Sequence, residues 1–76
     1  MKYVEIYSSP TCGYCNAAKN LLAAHRLAYV EKSVADPAVL AEMRKRLPFA
    51  KTIPQIFIDG EHVGGYDDLK EFLPTG

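Results

Sequence analysis

Two cysteines stand two residues apart in the segment Cys12-Gly13-Tyr14-Cys15, and the 76-residue chain has no others. Thiols at this spacing are close enough to form and break a disulfide with each other. The same spacing serves zinc sites and structural disulfides, so those chemistries compete. Structural zinc asks for four ligands, and the remaining candidates, His25 and His62, lie far from finger spacing. A disulfide across so short a loop restricts the unfolded chain little. Covalent haem attachment would need a histidine directly after the second cysteine, where the chain has Asn16. A C-x-x-C pair in a chain without these partners reads instead as a dithiol redox pair, with no metal. One sulfur attacks a disulfide and the other displaces the product from the mixed disulfide.

The elements that must present this pair follow from the hydrophobic pattern. Lys2 to Tyr7 alternates polar and apolar residues and predicts a strand. Ser8-Ser9-Pro10-Thr11 breaks it, and Thr11 is the expected N-cap of a helix starting near Cys12 or Gly13. Ala17, Ala18, Leu21, Leu22 and Leu27 mark one face of that helix, which is expected to run to Leu27. Its first turn offers unpaired N–H groups and partial positive charge, which stabilise a negatively charged sulfur at Cys12. Cys15 falls on the same side one turn later and is expected to be the less exposed thiol.

A second strand is expected over Ala28 to Val34. Asp36-Pro37 is an N-cap followed by a proline at the first helical position. Val39, Leu40, Met43 and Leu47 mark the buried face of this second helix, and Pro48 closes it. The run Arg44-Lys45-Arg46 is expected on its solvated face. Pro54 opens a third strand, Gln55 to Ile58, and Asp59-Gly60 is a two-residue hairpin signal leading to Glu61 to Gly64. Asp67-Asp68 suits the start of a last short helix, with Leu69, Phe72 and Leu73 on its apolar face and Pro74 as its stop. The order β-α-β-α-β-β-α predicts an α/β fold, a mixed four-stranded sheet flanked by helices, in one domain over residues 1–76.

Composition excludes several function classes. Nine basic residues balance nine acidic ones, which argues against a protein whose affinity comes from neutralising nucleic-acid phosphates. No run approaches the ~18 apolar residues of a membrane span. The N-terminal segment alternates and carries Glu5, unlike a signal peptide. The expected compartment is therefore the cytoplasm, where thiols are mostly reduced.

Three separated motifs, taken together, resemble the glutaredoxins of the thioredoxin-like superfamily. They are Cys12-Gly13-Tyr14-Cys15 after a strand, Thr52-Ile53-Pro54, which is similar to the family's T-V-P, and Gly64-Gly65-Tyr66-Asp67-Asp68, which is similar to its G-G-x-D-D. The resemblance runs from Val4 to about Leu73 and includes the segment Pro54 to Gly60. It implies a glutathione-dependent dithiol oxidoreductase with Cys12 as nucleophile and Cys15 as resolving thiol. Pro54 would be a cis proline, and the Ile53 backbone would pair with the cysteinyl unit of glutathione like an added strand. Tyr14 and Thr52 would line the groove. Gly65 and Tyr66 would let the backbone approach the γ-glutamyl end. Asp67 and Asp68 would bind its carboxylate and ammonium groups, and Lys51 the glycine carboxylate. The implied partners are glutathione and disulfide-containing or glutathionylated proteins, with ribonucleotide reductase as one example, and the protein itself is expected to be a monomer.

Two positions depart from the common dithiol pattern. Gly13 stands where many members have proline, and Ser9 where many have lysine. Glycine at that place also occurs in members similar to scaffolds that hold a [2Fe–2S] cluster between two monomers, with Cys12 and glutathione as thiolates. That reading is one alternative. A thioredoxin-like carrier reduced by a flavoprotein reductase is another, and the Gly64 to Asp68 segment speaks against it.

Overall fold

The structure, a computed structural model, describes residues 2–73. The elements run β1 (Val4–Ser8), α1 (Gly13–Ala24), β2 (Tyr29–Ser33), α2 (Pro37–Arg46), β3 (Gln55–Ile58), β4 (Glu61–Gly64) and α3 (Tyr66–Phe72). They form one four-stranded sheet in the order β2-β1-β3-β4. β1 pairs parallel with β2 and antiparallel with β3, and β3 pairs antiparallel with β4. This is the mixed four-stranded sheet expected from the element order, in the thioredoxin-like arrangement that the family resemblance implies.

Strand alternation sends β1 into two cores. Val4 and Ile6 pack with Ala18, Leu22, Ile56, Ile58, Leu69 and Leu73 on the side covered by α1 and α3. Tyr7 packs with Met43 and Phe57 on the α2 side, joined by Val39, Leu40, Leu47 and Ile53. Both faces of the central strand are therefore sealed by helices, and all five of its residues are buried.

Asp59 and Gly60 adopt φ of 53° and 84°, the positive values a type I′ hairpin turn requires. The Asp59 carboxylate accepts from the Tyr3 N–H at 2.8 Å, and the Asp59 N–H donates to the Tyr3 carbonyl at 2.8 Å. These bonds tie the turn to the entry of β1. Asp36 caps α2, accepting from the Ala38 N–H at 2.9 Å, with Pro37 at the first position as expected.

Three local expectations are corrected. α1 stops at Ala24, short of Leu27, because Arg26 turns left-handed at φ 57°. The Leu27 N–H then returns to the Leu22 carbonyl and the Arg26 N–H to Ala23, both at 3.0 Å, which is a Schellman ending with arginine in glycine's usual place. The N-cap of α1 is Cys12 and not Thr11. Arg46 does not lie on a solvated face. Its guanidinium turns inward over the Phe57 ring, 3.7 Å from the centroid, and grips both oxygens of the buried Glu5 at 2.9 and 3.2 Å. The proposed helix stop at Pro74 lies outside the described residues.

The pairing of Glu5 with Arg46 belongs to a network on the α2 face. The Arg46 Nη1 also donates to the Tyr7 hydroxyl at 2.9 Å, which donates to Glu42 at 2.5 Å. Lys32 bridges Glu5 and Glu42 at 3.1 and 2.9 Å. The Arg46 guanidinium holds the Glu5 carboxyl below the usual carboxylate range despite its burial.

Candidate active site

Cys12 is placed by the end of β1 and the start of α1. The chain leaves the sheet after Ser8, and Cys12 keeps extended backbone (φ −101°, ψ 113°) just before the first helical residue. Its sulfur accepts a hydrogen bond from the Cys15 N–H at 3.1 Å. The nucleophile candidate is therefore itself the capping group, occupying the place where a hydroxyl or carboxylate oxygen commonly sits.

Cys15 is fully buried, whereas Cys12 is half-buried, and both thiols are free. Burial pushes the Cys15 thiol up to about 11, and the neighbouring Cys12 sulfur adds to the rise. The pair is thus asymmetric, with one thiol facing out at a helix N-terminus and one held protonated beneath it.

The Cys12 sulfur also lies 3.8 Å from the Ile53 carbonyl oxygen. The peptide bond between Ile53 and Pro54 is cis. Beside it opens a groove of about 450 Å³ along Thr52, Ile53 and Pro54. Its other walls are Tyr14 from α1 and the segment from Gly64 to Asp68. The Tyr14 and Tyr66 rings sit 6.0 Å apart, with an apolar dish between them bordered by Gly13 and Ala17.

The Gly64-Gly65 step has a steric reason. Gly64 has φ +124°, and a Cβ there would collide with the Asp68 carboxylate. That carboxylate accepts from the Gly65 N–H at 3.2 Å, which anchors the start of α3. Leu69 is the first residue whose N–H bonds back along the helix, to the Gly65 carbonyl at 3.0 Å. The N–H groups of the turn before it lie outside the helical ladder.

The structure brings together Tyr14, Thr52, Ile53, Pro54, Gly65, Tyr66, Asp67 and Asp68 around this groove, with Cys12 at the Ile53 end. Lys51 stands apart. It is exposed and borders a smaller cavity of about 210 Å³ on the other side of Thr52 and Ile53, with Val34, Leu40, Met43, Arg44 and Ala50. Two groove residues escaped the sequence reading, namely Gln55 and His62, while Gly64, already part of the glycine-aspartate motif, borders the groove as well. A polar Gln55 directly after Pro54, in an otherwise apolar strand, was the available signal.

A family model described as Glutaredoxin matches residues 4–63. The chain belongs to the glutaredoxin family. "Glutaredoxin 3" of Escherichia coli K12 is 42% identical to it over 69 residues, spanning 91% of this chain and 83% of that one. The crystal structure of glutaredoxin 1 from Francisella tularensis complexed with cacodylate superposes with a TM-score of 0.79. It is 32% identical and the match covers 93% of this chain and 91% of that one. A buckwheat glutaredoxin–glutathione complex gives a TM-score of 0.77 at 28% identity, over 90% of this chain and 64% of that one. Glutaredoxin family and fold carry a thiol–disulfide oxidoreductase role, and Cys12 and Cys15 are the chain's only thiols for it.

Proposed function

We propose that the protein, acting as a single monomeric domain in the cytoplasm, uses glutathione to reduce protein disulfides and protein–glutathione mixed disulfides. The observation that carries this reading is the groove walled by Tyr14, Thr52–Pro54 and Gly64–Asp68, which ends at a carbonyl 3.8 Å from the Cys12 sulfur. A tripeptide laid along it reaches Cys12 with its own sulfur. A buckwheat relative of the same fold is known as a glutathione complex.

On this reading the Cys12 thiolate attacks the glutathione sulfur of a mixed disulfide. The old S–S bond breaks, the protein thiolate leaves and takes up a proton, and Cys12 becomes joined to glutathione. A second glutathione thiolate attacks that glutathione sulfur, releasing glutathione disulfide and the Cys12 thiolate. With a protein disulfide, Cys12 forms a mixed disulfide with the partner, and Cys15 then attacks the Cys12 sulfur. The partner leaves reduced and Cys12–Cys15 is left oxidised, to be reduced by two glutathiones.

The Cys15 environment supports this order of events. While Cys12 carries negative charge, both burial and that charge keep Cys15 protonated. Once the Cys12 sulfur is tied in a mixed disulfide its charge is gone, so Cys15 loses its proton more readily at the moment it must attack.

In the groove, the Ile53 backbone pairs with the cysteinyl unit, and Gly65 and Tyr66 border the γ-glutamyl end. The early N–H groups of α3 meet its carboxylate and Asp67 its ammonium group. Lys51, on the far side of Thr52, meets the glycine carboxylate only by reaching around that backbone. A coupled assay tests the reading directly. Turnover of a glutathionylated peptide is expected with glutathione and its reductase as electron source. Turnover with a thioredoxin reductase alone would overturn it.

A further inference from the structure

Gln55 and His62 border the groove, and glutathione binding as described leaves them without a task. Gln55 is buried on β3, and its amide nitrogen donates to the Thr52 carbonyl at 3.0 Å and to the Thr52 hydroxyl oxygen at 3.3 Å. A carbonyl oxygen can only accept, so this contact fixes the amide with its NH₂ toward Thr52 and its Oε1 toward β4. There the His62 Nε2 lies 2.7 Å from Oε1. An amide oxygen also only accepts, so the His62 ring must carry a proton on Nε2.

Strand register makes the contact possible. His62 is paired with Phe57, beside the irregularity between Ile56 and Phe57, and the two rings stand 5.1 Å apart. The ring is thereby held facing β3 where the Gln55 amide ends. Hydrogen bonds then run in one direction, from His62 through Gln55 to Thr52. The Thr52 hydroxyl oxygen accepts this hydrogen bond from Gln55, which occupies a lone pair on that side and turns its own O–H away from Gln55 to donate elsewhere.

We propose that Gln55 and His62 are positioning residues that make the Thr52 hydroxyl a hydrogen-bond donor in the groove, selecting a ligand with a carbonyl or carboxylate oxygen at that point. The selection step rests on the groove taking glutathione, whose peptide carbonyls and carboxylates are acceptors of this kind. The relay itself is a property of the free protein.

Two measurements separate the relay from the ligand. In wild-type protein without glutathione, ¹⁵N NMR at a pH where histidines are neutral is expected to show His62 protonated on Nε2 and bare on Nδ1. A ring protonated on Nδ1 would overturn the relay. In steady-state kinetics on a glutathionylated peptide, Gln55→Leu is expected to raise KM about three- to tenfold, the worth of one or two neutral hydrogen bonds, with kcat held. Thr52→Val should raise KM similarly, and the double variant no more than either alone, because both remove the same donor. His62→Phe, which keeps the ring contact with Phe57, should raise KM, and His62→Gln, whose amide can still donate, should restore it. An unchanged KM in Gln55→Leu, or additive effects in the double variant, would overturn the selection step. Wild-type protein inert toward the glutathionylated peptide would overturn the glutathione reading and the selection with it, while the ring tautomer still decides the relay.

Discussion

The backbone N–H of Cys15 donates to the sulfur of Cys12 at 3.1 Å, so one cysteine caps the helix that contains the other. The contact holds the outer sulfur above the inner thiol before any substrate arrives. It also divides the pair by environment, since only Cys12 keeps access to solvent.

That division sets the outcome of two serine substitutions. Cys12→Ser is expected to abolish all thiol transfer. Cys15→Ser should still remove glutathione from mixed disulfides, because that cycle uses one thiol, but should lose reduction of protein disulfides. Assays on a glutathionylated peptide and on a disulfide-bonded protein distinguish the two. Full activity in Cys12→Ser protein would sink the assignment.

The buried thiol predicts a pH dependence of stability. Cys15 is pushed from an ordinary 9.0 up to about 11 in the folded protein, so between those values the folded state holds a proton that the unfolded state releases. The stabilisation is complete below pH 9.0 and is lost as pH rises toward about 11. Denaturant melts of the reduced protein against Cys15→Ala should therefore converge over that window. A constant difference would show that Cys15 does not retain its proton. Below pH 9, brief alkylation should label Cys12 alone, read as a single mass increment.

Gly64→Ala tests the anchor of α3. The new Cβ would meet the Asp68 carboxylate in a backbone region that side chains rarely adopt, and that carboxylate holds the Gly65 N–H. Strain of this kind costs about 1–3 kcal/mol. The expected result is a lower urea midpoint together with a raised KM for glutathionylated substrate. An unchanged midpoint would show that the backbone relaxes there without cost.

Arg46→Met tests the network on the α2 face. Removing the guanidinium leaves Glu5, whose side chain is only 9% exposed, with Lys32 as its cation. A loss of roughly 2 kcal/mol is expected at neutral pH, below the cost of fully orphaning a buried charge. Glu5 is held below its ordinary 4.5 chiefly by Arg46, so that contribution is present above pH 4.5 and is lost as pH falls through the lower folded value. Wild type and variant should thus converge in acid, as followed by circular dichroism. Parallel acid transitions would contradict the pairing.

The hairpin of β3 and β4 was readable to the residue because Pro54, the Asp59-Gly60 turn and the strand ends all punctuate it locally. The C-terminus of α1 was not, since Arg26 takes a left-handed conformation that no residue type there announces. Capping by Cys12 was hidden because a thiol is not among the usual capping groups, though the redox pair itself was plain from spacing. Arg46 looked like surface charge because its partner Glu5 is 41 residues away in sequence, on a strand face that only the assembled sheet buries. The Gln55–His62 contact was missed for the same reason. It depends on a strand pairing and a register irregularity, not on a motif.

A sulfur that caps a helix also links the redox state to the fold. Forming Cys12–Cys15 changes the group that holds the N-terminus of α1, so dithiol and disulfide forms need not unfold with the same free energy. By the thermodynamic cycle joining them, any such difference equals the gap between the reduction potentials of the folded and unfolded chain, about 30 mV for each 1.4 kcal/mol. The melting curves of the two forms are therefore a calorimeter for how strongly this small scaffold prefers to give or keep electrons.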